Sequence, residues 1–145
     1  PHRAILNKLL ADHNMARVVI DTRPIRDLAG DESIKGSSYE SLLEARERKP
    51  NVPVFEEQTT DFTFLRFIGH PQMEQNHVWV EEWVNRITDQ LSAGTDAFVF
   101  CHSPDNMLAP SICREIHQRI SSRIQIPPLP WDDIRSDVFE QGKLF

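Results

Sequence analysis

The spacing of apolar positions changes period along this chain. Residues 63–69 alternate, with Phe64, Arg66 and Ile68 on one side and Leu65 and Phe67 on the other, which predicts a strand. Over 77–91 the period lengthens. Trp79, Trp83 and Ile87 recur every fourth residue, joined by Val80, Val84 and Leu91, which predicts a helix. The apolar run 97–101 predicts a second strand, with His102 just past it. Strand, helix and strand make a βαβ unit, and such a unit requires parallel strands. The same alternation frames it. Residues 3–14 carry Ile5, Leu6, Leu9 and Leu10 as one helical stripe, and the β-branched run at 17–20 predicts a buried strand closed by Asp21. Residues 24–37 read as loop. Ser37 or Ser38 is then placed to cap a helix running to about Arg48, with Leu42 and Leu43 inward, and Pro50 and Pro53 stop it. A last helix spans 108–124, with Ala109, Ile112, Cys113, Ile116 and Ile120 inward. Residues 126–131 leave regular structure, and the acidic stretch to Phe145 reads as a surface segment.

One helix followed by three strand–helix units implies an α/β fold with a parallel sheet. Three strands with every helix on one side would leave the face carrying Phe64, Ile68, Phe98 and Phe100 bare. Parallel sheets are normally covered on both faces. Two arrangements would satisfy that rule. Another chain covers the face, or the chain is half of a TIM-like (β/α)8 barrel whose interior is that face. A whole barrel needs roughly 200–250 residues, and 145 is about half of one.

Charge narrows the partners only a little. Twenty-two acidic against sixteen basic residues give a net charge of −6, and the densest charged run, 44–49, alternates in sign. Non-specific nucleic-acid binding is therefore disfavoured, while a local basic site remains open. No apolar run approaches the ~20 residues of a membrane span. Cys101 and Cys113 belong to no CxxC pair, so they read as two buried thiols of a cytoplasmic protein.

Ligands of parallel α/β folds bind at the carboxyl ends of strands. That rule selects Asp21, Arg66, Gly69, His70, His102, Ser103, Asp105 and Asn106. Arg66 suits a phosphate or carboxylate, because its planar fork pairs with both oxygens. Asp21 and His102 are the catalytic candidates, as general base or metal ligand. Each residue also has a structural use. Arg66 could form an interior ion pair, with Asp21 or with a carboxylate outside the chain. His102 could bond a loop carbonyl, His70 could be plain loop, and Asp105 and Asn106 could cap the last helix. The remaining histidines, His2, His13, His77 and His117, fall on helices or the terminus. No HExxH, DxD or glycine-rich phosphate loop is present, so neither a metal nor a cofactor is specified.

With these stretches in place, the chain resembles the second half of the YecE-like proteins (DUF72), a bacterial family of TIM-barrel type and unknown function. The resemblance rests on 65–69 and 98–106, supported by 17–24, 48–54, Trp131 and the terminal 143–145. It implies that Asp21 is the family's strand-end aspartate. It likewise implies that Arg66 and Gly69 belong to its arginine–apolar–x–glycine strand, and that His102 and Ser103 stand where many members have paired asparagines. Two departures accompany it. Ile68 fills a slot where many members have histidine, with His70 following the glycine instead, and the family's glutamate–x–arginine strand is absent. The readings that follow are a barrel enzyme acting on an anionic or phosphorylated small molecule, a nucleic-acid-binding or -processing barrel, and a non-catalytic ligand-binding or assembly protein. The 145 residues alone are expected to be inactive.

Overall fold

The computed structural model describes residues 2–28, 31–55 and 57–132. The segment 133–145, expected to lie on the surface, falls outside them. The elements run α1 (His2–Asp12), β1 (Val18–Asp21), α2 (Arg23–Arg26), α3 (Ser37–Arg48), β2 (Phe62–Ile68), α4 (His77–Ser92), β3 (Asp96–His102) and α5 (Ala109–Ser121). The three strands form one parallel sheet in the order β1-β2-β3. Arg66 lies opposite Ile20 and Phe100, and Ile68 opposite His102.

The pleat sorts the side chains into two faces. On one, Leu65 and Phe67 pack with Val80, Trp83, Val84 and Ile87 of α4 and with Ile112, Ile116 and Ile120 of α5. The four-residue rhythm of the sequence places those α4 residues on one side, and Gly94 ends the helix in the left-handed region at φ +83. Pro110 occupies the first turn of α5, where its missing N–H costs nothing. Arg119 joins α4 to α5 through Glu81 at 2.9 Å, and it also pairs with Glu115 of its own helix at 2.6 Å.

The opposite face is bare in its lower two thirds. Phe98 and Phe100 are 50% and 47% exposed. Phe64 stacks on Phe100 with ring centroids 4.7 Å apart, and Phe62 meets Phe98 edge-on at 5.8 Å. Helix α1 buries none of its residues and exposes Ile5, Leu6 and Leu9.

The upper third differs from expectation. Leu42 and Ala45 of α3 join Ile25, Ile20 and Ile68 in a second cluster, and Ile20 and Ile68 belong to the otherwise bare face. Helix α3 therefore closes the carboxyl end of that face, whereas α4 and α5 cover the other. The helical pattern of 37–48 identifies an inward stripe but not the layer it enters. Two local expectations are also corrected. Residues 23–26 form a short helix with Pro24 in its first turn, where a loop was expected. Gly36, in the left-handed region at φ +65, precedes α3 where a serine cap was expected, and no side chain caps that helix.

Candidate functional site

Asp21 closes β1 with its side chain on the α4 side of the sheet, and it is fully buried. Oδ1 accepts from the backbone N–H and Nε of Arg23, both at 3.0 Å. Oδ2 accepts from Arg23 Nη2 at 2.8 Å and from the indole Nε1 of Trp83 at 2.7 Å. Both oxygens are thus engaged by fixed donors. Arg23 also reaches Glu82 at 2.9 Å and covers the Trp79 ring at 4.4 Å. Burial opposes its charge, but the bonds to Asp21 and Glu82 outweigh that cost and raise its pKa further. Arg66 belongs to the other face, so Asp21 is not its ion-pair partner.

Gly69 follows β2 and donates its N–H to the carbonyl of His102 at 2.8 Å. A Cβ at Gly69 would stand 2.5 Å from Ile112 Cδ1 and 2.8 Å from Asn76 Oδ1, so the close approach demands glycine. The backbone N–H of His70 donates to Asn76 Oδ1 at 2.7 Å, and Asn76 Nδ2 donates back to the carbonyls of His70 and Gln72 at 3.0 Å. The His70 ring is fully buried. Its Nδ1 accepts from Gln72 N–H at 3.2 Å, and its Nε2 faces Asp31 Oδ1 at 3.6 Å. Asp31 is held by both Arg46 Nη atoms at 2.6 and 2.8 Å. The Arg46 bonds keep the Asp31 carboxyl below its ordinary pKa despite desolvation. Burial is the largest influence on His70 and pushes its pKa down. Asp31 opposes that shift, and Arg46 adds to it.

A pH dependence of stability follows. The folded chain keeps His70 neutral, while an unfolded His70 takes a proton near its ordinary 6.5. The unfolded state therefore binds more protons below that value, and stability falls as pH drops beneath about 6.5. His102, lowered in the same direction, adds to the effect. Urea midpoints are expected to be lower at about pH 5 than at about pH 7.5, with part of the difference abolished in His70→Gln. Equal midpoints for the parent chain at the two pH values would contradict this assignment.

His102 ends β3 on the same face as Arg66, diagonal to it across the β2–β3 pair. Its ring hydrogen-bonds the Asn106 side chain, and its pKa is depressed first by burial and then by the positive charges of Arg66 and Lys49. Asn106 stands in the left-handed region at φ +60, which turns the chain back toward the ring. Ser103 Oγ accepts the N–H of Leu108 at 3.1 Å, and Asp105 Oδ1 accepts the N–H of Met107 at 3.0 Å, which fixes the loop before α5. Asp105 Oδ2 accepts from Ser38 of α3 at 3.4 Å. His102, Ser103 and Asn106 line one pocket of about 220 Å³ with Ser41, Glu44, Arg48, Lys49 and Ile68. Arg48 is paired with Glu44 at 2.8 Å. The Arg66 and Lys49 side chains have no hydrogen-bond or ion-pair partner among the described residues.

The candidates therefore divide. His102, Ser103 and Asn106 share a pocket, and Arg66 lies beneath them on the same face. Gly69, His70 and Asp105 hold the loops around it, and Asp21 lies across the sheet. Lys49 was not selected from sequence. Its signal is its place directly after a helix and before Pro50, at the end of the chain's return over the strands. Among the described residues no three His, Cys, Asp or Glu side chains are grouped to hold a metal ion, and no helix is long and apolar enough to cross a membrane.

The family described as "Protein of unknown function DUF72" matches residues 1–133. The chain belongs to this family. It is 28% identical over 137 residues to the UPF0759 protein YecE of Escherichia coli (strain K12), covering 94% of this chain and 42% of that protein. The protein of the same name from Escherichia coli O157:H7 matches to the same extent. The chain thus spans less than half the length of these DUF72 relatives. No solved structure matches it.

Proposed function

We propose that this DUF72 chain is the carboxyl-terminal half of a TIM-like barrel and that its rim pocket binds an anionic small molecule, a phosphate or a carboxylate. The observation that carries the reading is the grouping of Lys49, Arg66 and His102, in which neither cation has a protein partner among the described residues. The open aromatic face and the longer relatives support further strands of the same polypeptide as the cover of the sheet. Once that face is covered, an uncompensated Arg66 would be costly, and a bound anion supplies the missing charge. Lys49 on the pocket wall and Arg66 beneath it then hold the anion, with Ser41 and Asn106 of the pocket to orient it. His102 stays neutral beside two cations, the state required of a general base that takes a proton from a substrate whose negative charge the cations hold. Asp21 and His70 serve this reading by holding the strand ends and loops rather than by touching the ligand. A nucleic-acid surface gains no support, because Arg23 is committed to Asp21 and Glu82 while Arg66 lies on the other face.

Sulfate is the suitable probe, since its charge is constant over the range in which histidine titrates. Calorimetric titration should show one saturable site that tightens as pH falls, because the anion and the His102 proton favour each other. Arg66→Ala and Lys49→Ala should each weaken binding about tenfold. Absence of saturable binding, or binding indifferent to both substitutions, would assign Arg66 to a carboxylate elsewhere in the whole protein.

A further inference from the structure

Strand β3 and helix α5 bring the two thiols of the chain together. Cys101 is the penultimate residue of β3, and Cys113 lies in the first half of α5. Neither is in a disulfide, and both are partly exposed. Their side chains are close enough to act on each other electrostatically. Both also line one open hollow of about 550 Å³ with Phe100, Pro110, Arg114 and Trp131. The expectation of two buried thiols therefore does not describe them. The pair is unequal: contact with Cys113 and deeper burial push the Cys101 thiol up. Cys113 is brought down, first by that contact and against desolvation. Cys113 is thus the more readily ionised of the two and the better nucleophile, and it opens on the hollow beside the second thiol.

We propose that Cys101 and Cys113 form a reversible redox pair, in which Cys113 is oxidised by a hydroperoxide and Cys101 resolves the product to an intramolecular disulfide. In the first step Cys113 sulfur attacks the terminal peroxide oxygen. The S–O bond forms, the O–O bond breaks, and the departing oxygen takes a proton to leave as an alcohol, or as water from hydrogen peroxide. Sulfur loses two electrons and the peroxide gains them, which leaves a sulfenic acid. In the second step Cys101 sulfur attacks that sulfenic sulfur. The S–S bond forms, the S–O bond breaks, and hydroxide leaves as water with the proton of Cys101. A dithiol returns both residues to the reduced state by exchange. The contact between the side chains puts the second thiol within reach before the sulfenic acid can be oxidised further. The thiols lie outside the rim pocket, whose lining includes neither cysteine, although His102 borders both hollows.

The test is intact-mass analysis of the full chain treated with one equivalent of hydrogen peroxide, with and without a sulfenic-acid trap such as dimedone. The expected product is a monomer lighter by two hydrogen atoms, with both free thiols lost together and both recovered by dithiothreitol. The trap should be found on Cys113. On the untreated protein at neutral pH, Cys113 should be alkylated at least about tenfold faster than Cys101. Because these readings use the parent chain, they do not depend on a variant that folds. Cys101→Ser should let trapped sulfenic acid accumulate on Cys113. Independent gain of oxygen at each cysteine, disulfide-linked dimers, or equal alkylation rates would overturn the proposal.

Discussion

Asp21→Ala is expected to cost the folded chain about 3 kcal/mol. Trp83 Nε1 is buried under the sheet with Asp21 as its acceptor at 2.7 Å, and a buried donor left without one costs about 1–3 kcal/mol. The backbone N–H of Arg23 loses its acceptor as well. The guanidinium adds less, since it keeps Glu82 and a third of its side chain is in water. A loss of that size is a large fraction of the about 5–15 kcal/mol that holds a typical domain together. Asp21→Asn retains an acceptor for Trp83 and should cost less than half as much. Both variants should leave sulfate affinity unchanged, because Asp21 lies across the sheet from the pocket. Denaturant unfolding measures the first quantity and calorimetry the second. An Asp21→Ala chain as stable as the parent would refute the clamp. An Asp21→Asn chain of parental stability that no longer binds sulfate would return Asp21 to the site.

The second large effect concerns the aromatic face. The 145-residue chain by itself should bind an apolar dye and self-associate, because Phe98 and Phe100 stand half-exposed beside the stacked Phe64, with Val18 also open. Burying the exposed half of each ring is worth about 1 kcal/mol. Phe98→Ser with Phe100→Ser together should therefore weaken association on the order of 30-fold and reduce dye fluorescence in proportion. Both positions face away from the α4–α5 core, so the double variant should keep its secondary structure. Sedimentation checks the association. A parent chain that is a dye-free monomer at high concentration would show that this face needs no cover, and the barrel reading would fail with it.

Much of this fold was legible because period separates helix from strand. The repeat of Trp79, Trp83 and Ile87 marked α4 and its buried side, and the alternation through Phe64, Leu65, Arg66, Phe67 and Ile68 sorted β2 between its faces. The parallel order followed from the helices between the strands. Tertiary choices were less visible. Asp21 and Arg66 were grouped as strand-end neighbours, yet a one-residue difference in register puts their side chains on opposite faces. The stripe expected at Leu42 and Leu43 showed that α3 packs inward, but not that Ala45 would be buried in place of the exposed Leu43, nor that the helix closes the carboxyl end of a sheet face. Lys49 reaches the pocket through that placement. Pro24 read as a loop residue, although its fixed φ also starts a helix. Cys101 and Cys113 came from different periods, and only the packing of α5 on β3 joins them.

The most direct measurement on the rim pocket is the titration of the His102 ring by NMR, with and without sulfate. The free protein should show a pKa below the ordinary 6.5, held down by burial and by Arg66 and Lys49. Saturating sulfate should raise it by offsetting those charges, and Arg66→Ala should blunt the rise. A His102 pKa that sulfate leaves untouched, in a protein whose other signals show it folded, would contradict an anion site at the strand ends.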